Sequence, residues 1–435
     1  MFIAVCFSFY FIKAVPTLLC IKKQMIGWLA RHLVLVSFVQ LLVSFAAFAL
    51  CRMFGAAVLL LAVLTVPASV MICHALFEIA QRHKVDPCVH KAARRVRRCR
   101  NLICIAVTGG EKAVAFIHIF KQVLDQKTIF VQNADLLALA ETLNKDLDST
   151  VRFVVFPLAE GDPVQNRKML RMTRPRITVL CGDNREENSS ICPWIKNGGA
   201  VVTAYAALKT LQPYIRQDVL VRTYSLEKEP QSTVEFYDFV FSANGTSCIA
   251  RERTTQSKIV CTMQLLGQDA LCAAAAAAAC ARLVGISLDD VVQHLQQAGA
   301  QKGQLSLTQL WSGSVYIDDT KVATLADFQR DLEILDDIPG RKIAILGSFK
   351  NSLTDSLQKN KALGHIAAEH VQIVLLCGEG AQAVQCGLLE RGFPVESILF
   401  IQSAAHLRRS VDALATHNDI VIEAFTKSYH YLEVL

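Results

Sequence analysis

The sequence predicts an α/β protein with transmembrane helices at its N-terminus. Three observations lead to this prediction: long uncharged stretches fill the first 80 residues, strand-like and helical segments alternate after residue 100, and a second alternation begins at residue 314. The 435 residues are enough for two or three globular units. The apolar content of 52% and the mean hydropathy of +0.34 are high for a purely soluble protein.

The apolar excess lies in three runs within residues 1–80. Residues 33–51 and 56–77 contain no Asp, Glu, Lys or Arg, and each run is long enough to cross a hydrocarbon core of about 30 Å. The first run, residues 2–20, is interrupted by Lys13 and Pro16. Its basic residues follow it rather than precede it, so we expect an uncleaved span instead of a signal peptide, with a re-entrant or interfacial segment as the alternative. The expected membrane region therefore has about three helices.

The charge of the next segment predicts the orientation. Residues 81–100 contain eight basic side chains and one acid, Asp86, so this segment carries a net charge of +7, equal to that of the whole chain. Basic loops stay on the cytoplasmic side, which predicts a multi-pass protein of the cell inner (cytoplasmic) membrane with its soluble domains facing the cytoplasm. We interpret residues 81–100 as a juxtamembrane linker whose partner is anionic membrane lipid, and we expect no nucleic-acid partner.

The cysteines indicate a reducing compartment. None of the 15 Cys residues forms a Cys-x-x-Cys pair or a Cys/His cluster with zinc spacing. They are therefore interpreted as small buried hydrophobic residues.

A central domain is predicted over residues 101–305. Strand-like runs separated by helical stretches predict a largely parallel sheet with crossover helices; these runs are 102–107, 128–131, 151–156, 177–181 and 200–203. Residues 219–265 contain further strand patterns around Asn244-Gly245, a strong hairpin signal, which predicts an antiparallel flank. Seven consecutive alanines, residues 273–279, predict a helix that packs closely on a sheet, and Ser287 is expected to cap the helix that follows it.

The remaining residues, 306–435, form the second predicted α/β domain. Five strand runs, 314–319, 342–347, 372–378, 397–402 and 419–425, alternate with helical patterns. This arrangement is typical of a small doubly wound domain.

Three elements in this order resemble the Mur ligase family, most closely its members that add D-alanyl-D-alanine. They are the loop "TGGEK" after the first strand, the Ala-rich helix followed by "GISLDDVVQHL", and "YIDD" followed by "ADFQRDLEIL" and "GRKIAILG". The resemblance covers residues 101–435. It implies a central ATP-binding domain over 101–305 and a Rossmann-like C-terminal domain over 306–435, with the membrane segments in place of the family's usual N-terminal substrate domain.

The resemblance also implies a site for ATP and Mg²⁺, because the family forms an amide bond through an acyl phosphate. The nucleotide-binding candidates are Thr108, Gly109, Gly110 and Lys112, and the metal candidates are Glu160 and Asp162. The family's loop pattern, Thr-Gly-x-x-Gly-Lys-Thr, is one residue shorter here, and Ala113 follows the lysine where a hydroxyl would reach magnesium.

The other positions that the family uses for contacts are also changed. Phe156 stands where the family has a magnesium-binding Glu, and Asp269 stands at the His of its Gly-x-His-Asn motif. Further changes occur at Ala270, Ala273, Cys181, Gly182, Gln304, Val322 and Thr324. The strands and helix formers are retained while the contact groups are lost, which predicts a catalytically degenerate protein that needs no cofactor.

We therefore interpret the chain as a membrane-anchored scaffold or regulator, with enzymes of peptidoglycan precursor synthesis as partners by family analogy. One alternative is an active ATP-dependent ligase that uses Lys112 on phosphate and Glu160, Asp162 or Asp183 on Mg²⁺. Another is a small-molecule binding module at Gly378-x-Gly380, where an ordinary strand-to-helix turn is the competing explanation.

Overall fold

The computed structural model describes residues 85–435 apart from 125–126, 182–183, 350–352, 427–430 and 432–435. The three expected membrane spans in residues 1–80 lie outside the described residues. None of the helices within the described part of the chain has the length and hydropathy needed to cross a bilayer.

Most of the basic linker is helical. Residues 85–98 form helix α1, and Cys88–Leu435 form one compact unit. Within that unit Arg95 donates hydrogen bonds to the carbonyl oxygens of Leu143 and Asn144, and Asn144 Nδ2 donates to the Cys88 carbonyl oxygen at 2.9 Å. The linker is therefore attached to the first domain by direct hydrogen bonds.

The first sheet has nine strands in the order β2-β3-β1-β4-β5-β6-β7-β8-β9. The strands are β1 (Ile103–Thr108), β2 (Thr128–Phe130), β3 (Phe153–Pro157), β4 (Ile177–Leu180), β5 (Ala200–Ala204), β6 (Leu220–Ser225), β7 (Val234–Ser242), β8 (Gly245–Glu252) and β9 (Lys258–Met263). The pairs from β2 to β7 are parallel, and β8 and β9 add an antiparallel flank, as the sequence predicted.

The helices of this first half are α2 (Glu111–Val123), α3 (Leu136–Asp146), α4 (Pro163–Thr173), α5 (Arg185–Ile191), α6 (Tyr205–Leu211), α7 (Gln268–Leu283) and α8 (Leu288–Gln296). The Ala-rich run lies in α7, and every residue from Ala273 to Ala281 is buried. Because alanine side chains are small, α7 lies close to both α2 and the sheet. Helix α6 covers the opposite face, where Leu211 packs with Leu180 and Val201.

The hairpin between β7 and β8 turns one residue earlier than the Asn-Gly signal predicts. Ser242 pairs with Gly245, so Ala243 and Asn244 occupy the turn. Gly245 has a φ of 119°, and a Cβ atom placed on it would lie 2.1 Å from the Met263 carbonyl oxygen. Glycine is thus required here as the first residue of β8, where β9 approaches closely, and not as a central turn residue.

The second sheet has six strands in the order β10-β11-β15-β12-β13-β14. They are β10 (Ser306–Gln309), β11 (Val315–Asp319), β12 (Lys342–Leu346), β13 (Ile373–Cys377), β14 (Ile398–Ile401) and β15 (Ile420–Ala424), with helices α9 (Leu325–Asp336), α10 (Leu353–His370), α11 (Ala381–Glu390) and α12 (Ala404–Leu414). The five predicted strands are parallel; β10, which the sequence analysis missed, is antiparallel to β11.

The helices cover both faces of this sheet. Phe328 and Leu332 of α9 and Leu363 of α10 pack on one face, while Leu407 and Val411 of α12 pack on the other. This is the doubly wound arrangement that the alternation predicted. The carboxyl end of β11 carries Asp318 and Asp319 to the edge of the sheet, where ligands usually bind in such folds.

Candidate functional site

The loop between β1 and α2 holds the predicted nucleotide-binding residues. Gly109 and Gly110 both have positive φ, 109° and 54°, and Gly110 is the N-cap of α2 without a side-chain capping bond. Thr108 is fully buried at the end of β1, and its Oγ1 donates to Asn188 Oδ1 at 2.8 Å. The threonine hydroxyl therefore holds α5 to the sheet.

The carboxylate of Glu160 lies against this loop. A Cβ atom placed on Gly110 would be 2.5 Å from Glu160 Oε2. The N-terminus of a helix attracts anions because its N–H groups point outward and its dipole is positive there. The protein's own carboxylate thus lies beside the helix start to which a phosphate would be attracted.

A second carboxyl group lies close to Glu160. The pKa of Glu187 is raised, first by burial and then by its proximity to Glu160. Glu187 Oε1 is also buried without a hydrogen-bond partner in the described part of the chain. Two carboxyl groups consequently lie near the start of α2.

The other candidate residues are engaged elsewhere. Asp162 is the N-cap of α4 and accepts a hydrogen bond from the Gln165 backbone N–H at 2.9 Å. Lys112 Nζ lies 3.6 Å from Asp269 Oδ1, at the start of α7. Phe156, at the position of the family's metal-binding Glu, is completely buried in β3. Gly182 and Asp183 lie outside the described residues.

A cavity of about 570 Å³ lies beside this loop, between the start of α2, the start of α7, the end of β11 and α9. Its charged lining is mostly acidic. Eight carboxyl side chains face three cationic ones, Lys112, Lys321 and Arg330. The acids are Glu111, Glu227, Asp269, Asp319, Asp327, Asp331, Glu333 and Asp337.

Two of these acids form a close pair that the sequence analysis did not identify. Burial and the neighbouring carboxyls of Asp331 and Asp318 raise the pKa of Asp319. Burial also raises the pKa of Asp331 to about 7, with Arg330 opposing the rise and Asp269 adding to it. Asp318, in contrast, accepts hydrogen bonds from the N–H and hydroxyl of Thr320. The pair Asp319 and Asp331 therefore retains a proton that two isolated carboxyls would have released.

These residues do not fit Mg-ATP. A triphosphate needs exposed N–H donors and cations, whereas the Glu160 carboxylate lies against Gly110 and the charged lining of the cavity is mostly acidic. Ala113 is fully buried and has no hydroxyl for magnesium. Across the described ranges no group of three or more His, Cys, Asp or Glu side chains is arranged to hold a metal ion.

The turn at Gly378-x-Gly380 is filled by the protein itself. A Cβ atom on Gly380 would lie 2.5 Å from both Asn360 Nδ2 and Ser348 Cβ, and the Gly380 N–H donates to Ser348 Oγ at 3.3 Å. This glycine is explained by its close contacts with Asn360 of α10 and with Ser348 after β12, which supports an ordinary strand-to-helix turn.

The fold is similar to that of a class of solved structures. No protein-family model matches the sequence, and a search of curated proteins finds no match. Solved structures of Mur ligases do match, so the chain has the fold of their central and C-terminal domains.

The particular structures include MurF from Acinetobacter baumannii, with 17% identity and a TM-score of 0.65 over 79% of this chain and 78% of that chain. MurF ligase from Thermotoga maritima in complex with ADP matches at 16% identity and a TM-score of 0.63 over 80% and 82%. MurC from the same organism, a UDP-N-acetylmuramate-alanine ligase, matches at 13% identity with a TM-score of 0.55 over 79% of this chain and 76% of that chain.

Proposed function

We propose that this protein is a membrane-anchored, Mur-ligase-like scaffold or regulator of peptidoglycan precursor synthesis that no longer ligates. The similarity to Mur ligases supports the link to precursor synthesis. The three uncharged runs in residues 1–80 and the basic linker support anchoring in the cytoplasmic membrane with the α/β domains in the cytoplasm.

The observation that carries the loss of ligation is the position of Glu160. Its carboxylate lies against Gly110 at the start of α2, so a phosphate arriving there would meet a negatively charged group. Phosphoryl transfer depends almost wholly on positioning and charge stabilisation. A carboxylate beside this helix start opposes both requirements.

The rest of the site supports the same proposal. Thr108 uses its hydroxyl in a buried hydrogen bond, Ala113 has none, and Asp162 caps α4. Removing a single positioning group from an active site typically costs about 2.7–4 kcal/mol of transition-state stabilisation. Several such losses together exceed what the remaining Lys112 can offset.

The competing function is an active ligase with rearranged loops. It would need Glu160 to hold Mg²⁺ beside the loop rather than to exclude phosphate, with Lys112 moving from Asp269 to the nucleotide. The acidic cavity next to the loop disfavours this alternative, because the nucleotide and the cavity carry charges of the same sign.

A turnover assay tests the proposal. The full-length chain, purified in detergent, is incubated with ATP, Mg²⁺, UDP-muramoyl tripeptide and D-alanyl-D-alanine, and phosphate release and product are measured. We expect no turnover above the background of the Lys112→Ala variant. Turnover that this variant abolishes would establish the active ligase instead.

A binding assay tests the scaffold role. Each purified ligase of precursor synthesis is titrated in turn against the immobilised full-length chain. We expect saturable binding of at least one of them, and binding that is no tighter than that of an unrelated protein of similar charge would contradict the proposal.

A further inference from the structure

The cavity between the two halves contains two buried acceptor oxygens without a donor. Asp319 is only 3% exposed, and its Oδ2 receives no hydrogen bond from an N–H or O–H group of the described residues. Gln301 Oε1, in the same cavity lining, is likewise buried and without a partner. Buried acceptors usually have a donor, and a donor-rich group would satisfy both oxygens.

The charges around these oxygens define the sign of that group. Asp319 faces Asp331, a second carboxyl, and even with one proton shared between them the cavity lining carries an excess of four negative charges. Two of the three cations already lie beside acids: Lys112 beside Asp269, and Arg330 beside Asp327. An anion would be repelled by this cavity, and a cation would be attracted.

The uncharged lining indicates an organic cation. Phe239, Phe241 and Ile119 contribute apolar surface, which suits a hydrocarbon chain. The described residues offer no cluster suited to a metal ion. A primary ammonium group has three N–H donors and no acceptor, which matches the two unpaired acceptor oxygens of Asp319 and Gln301.

We propose that this cavity binds a small organic cation through a primary ammonium group placed between Asp319, Asp331 and Gln301. The ammonium replaces the proton that the carboxyl pair otherwise retains, and the apolar lining holds its hydrocarbon chain. The acidity of this cavity also supports the proposed loss of ligation, but cadaverine binding and Mg-ATP binding are measured separately, so the failure of one proposal is distinguishable from the failure of the other.

Calorimetric titration of the purified full-length chain with cadaverine tests the proposal, with 1,5-pentanediol as the uncharged probe of the same length. We expect saturable binding of cadaverine and none of the diol. Asp319→Asn and Asp331→Asn are each expected to weaken cadaverine binding by about tenfold or more, equivalent to about 1.4 kcal/mol. Gln301→Met should weaken it by a smaller factor.

Glu333→Gln is the matched control. It removes one carboxylate from the exposed rim of the same cavity, on the same helix, and should change the affinity by less than about threefold. Melting curves of all variants verify folding, and Gln301→Met, which leaves the carboxyl pair intact, provides a second test if an Asn variant is unstable.

Three results would overturn the proposal. The first is an absence of cadaverine binding at millimolar concentration. The second is equal affinity for cadaverine in the wild type and both Asn variants. The third is a Mg²⁺ or Ca²⁺ titration that saturates the same carboxyls and displaces cadaverine completely, which would identify a metal site.

Discussion

Replacing Asp319 by Asn should change how the stability of the protein depends on pH. In the folded protein Asp319 faces Asp331, whose pKa is raised to about 7, first by burial; Arg330 opposes the rise, and Asp269 and Asp327 contribute to it. An unfolded Asp has a pKa of about 3.9. Between these values the folded protein holds a proton that the unfolded chain has released.

The sign and size of the effect follow from this difference. Because the folded state binds the extra proton, wild-type stability falls as pH rises from about 4 to about 7, by about 1.4 kcal/mol per pH unit for one proton. The raised pKa of Asp319 acts in the same direction. Below this window both states are protonated, and above it Asp331 is ionised in both states.

In Asp319→Asn one carboxyl of the pair is replaced by an amide, which does not titrate and which can donate a hydrogen bond to the Asp331 carboxylate as a protonated Asp319 does. The raised pKa of Asp319 is then lost, so the slope of stability against pH should shrink. At pH 7.5 we expect the variant to be more stable than the wild type by about 1–3 kcal/mol, and at pH 4.5 we expect this advantage to disappear.

The pH dependence of the free energy of unfolding is measured by urea unfolding of the full-length chain. Unfolding is followed by far-ultraviolet circular dichroism at several pH values between 4.5 and 7.5. The difference between the free energies of unfolding of wild type and variant at each pH removes the contribution of distant groups, which titrate equally in both proteins. Glu333→Gln serves as the control and should keep the wild-type slope. Parallel pH profiles for wild type and Asp319→Asn would refute the shared proton.

Three further predictions concern other parts of the molecule. Arg282→Met should lower the free energy of unfolding in urea by about 3–5 kcal/mol, because the Glu252 carboxylate, whose side chain is 5% exposed, loses the Arg282 guanidinium at 2.8 Å. Glu252→Gln should lower it clearly less, and an equal loss of stability in both variants would contradict this reasoning. Thr108→Val should lower the free energy of unfolding by about 1 kcal/mol, because it removes the buried hydroxyl that donates a hydrogen bond to Asn188 Oδ1. An unchanged stability would show that this hydrogen bond does not stabilise the fold. A reporter fused after residue 100 should report the cytoplasm and one fused at Arg52 the outside; the opposite locations would overturn the expected topology.

The sequence predicted the strands from their apolar runs and the Ala-rich helix from the helix propensity of seven consecutive alanines. All five strands of the second parallel set lie within one residue of their expected ends, since each is built around a short apolar run. Strand β10 was missed because Ser306–Gln309 is polar and only partly buried, so it carries no apolar pattern. The hairpin shift at Gly245 arose because this glycine is required by a close backbone contact from β9.

The candidate site was less predictable because its geometry depends on contacts between distant segments. Glu160 follows β3, fifty residues after Gly110, and only the parallel pairing of β1 with β3 brings the two together. Asp331 lies in a helix that was predicted, but an acid on an amphipathic helix is normally solvated, so nothing in the local sequence indicates that it faces Asp319. The acid-rich segment after Asp319 is the signal that could have directed attention to this edge of the sheet.

Calorimetric titration of the full-length chain with Mg-ATP tests the central claim, that a Mur-ligase fold is retained here without its nucleotide chemistry. We expect no saturable binding of Mg-ATP at micromolar concentration by the wild type or by Lys112→Ala. A micromolar dissociation constant for the wild type that weakens in Lys112→Ala would show that the loop still holds phosphate, and it would contradict the account.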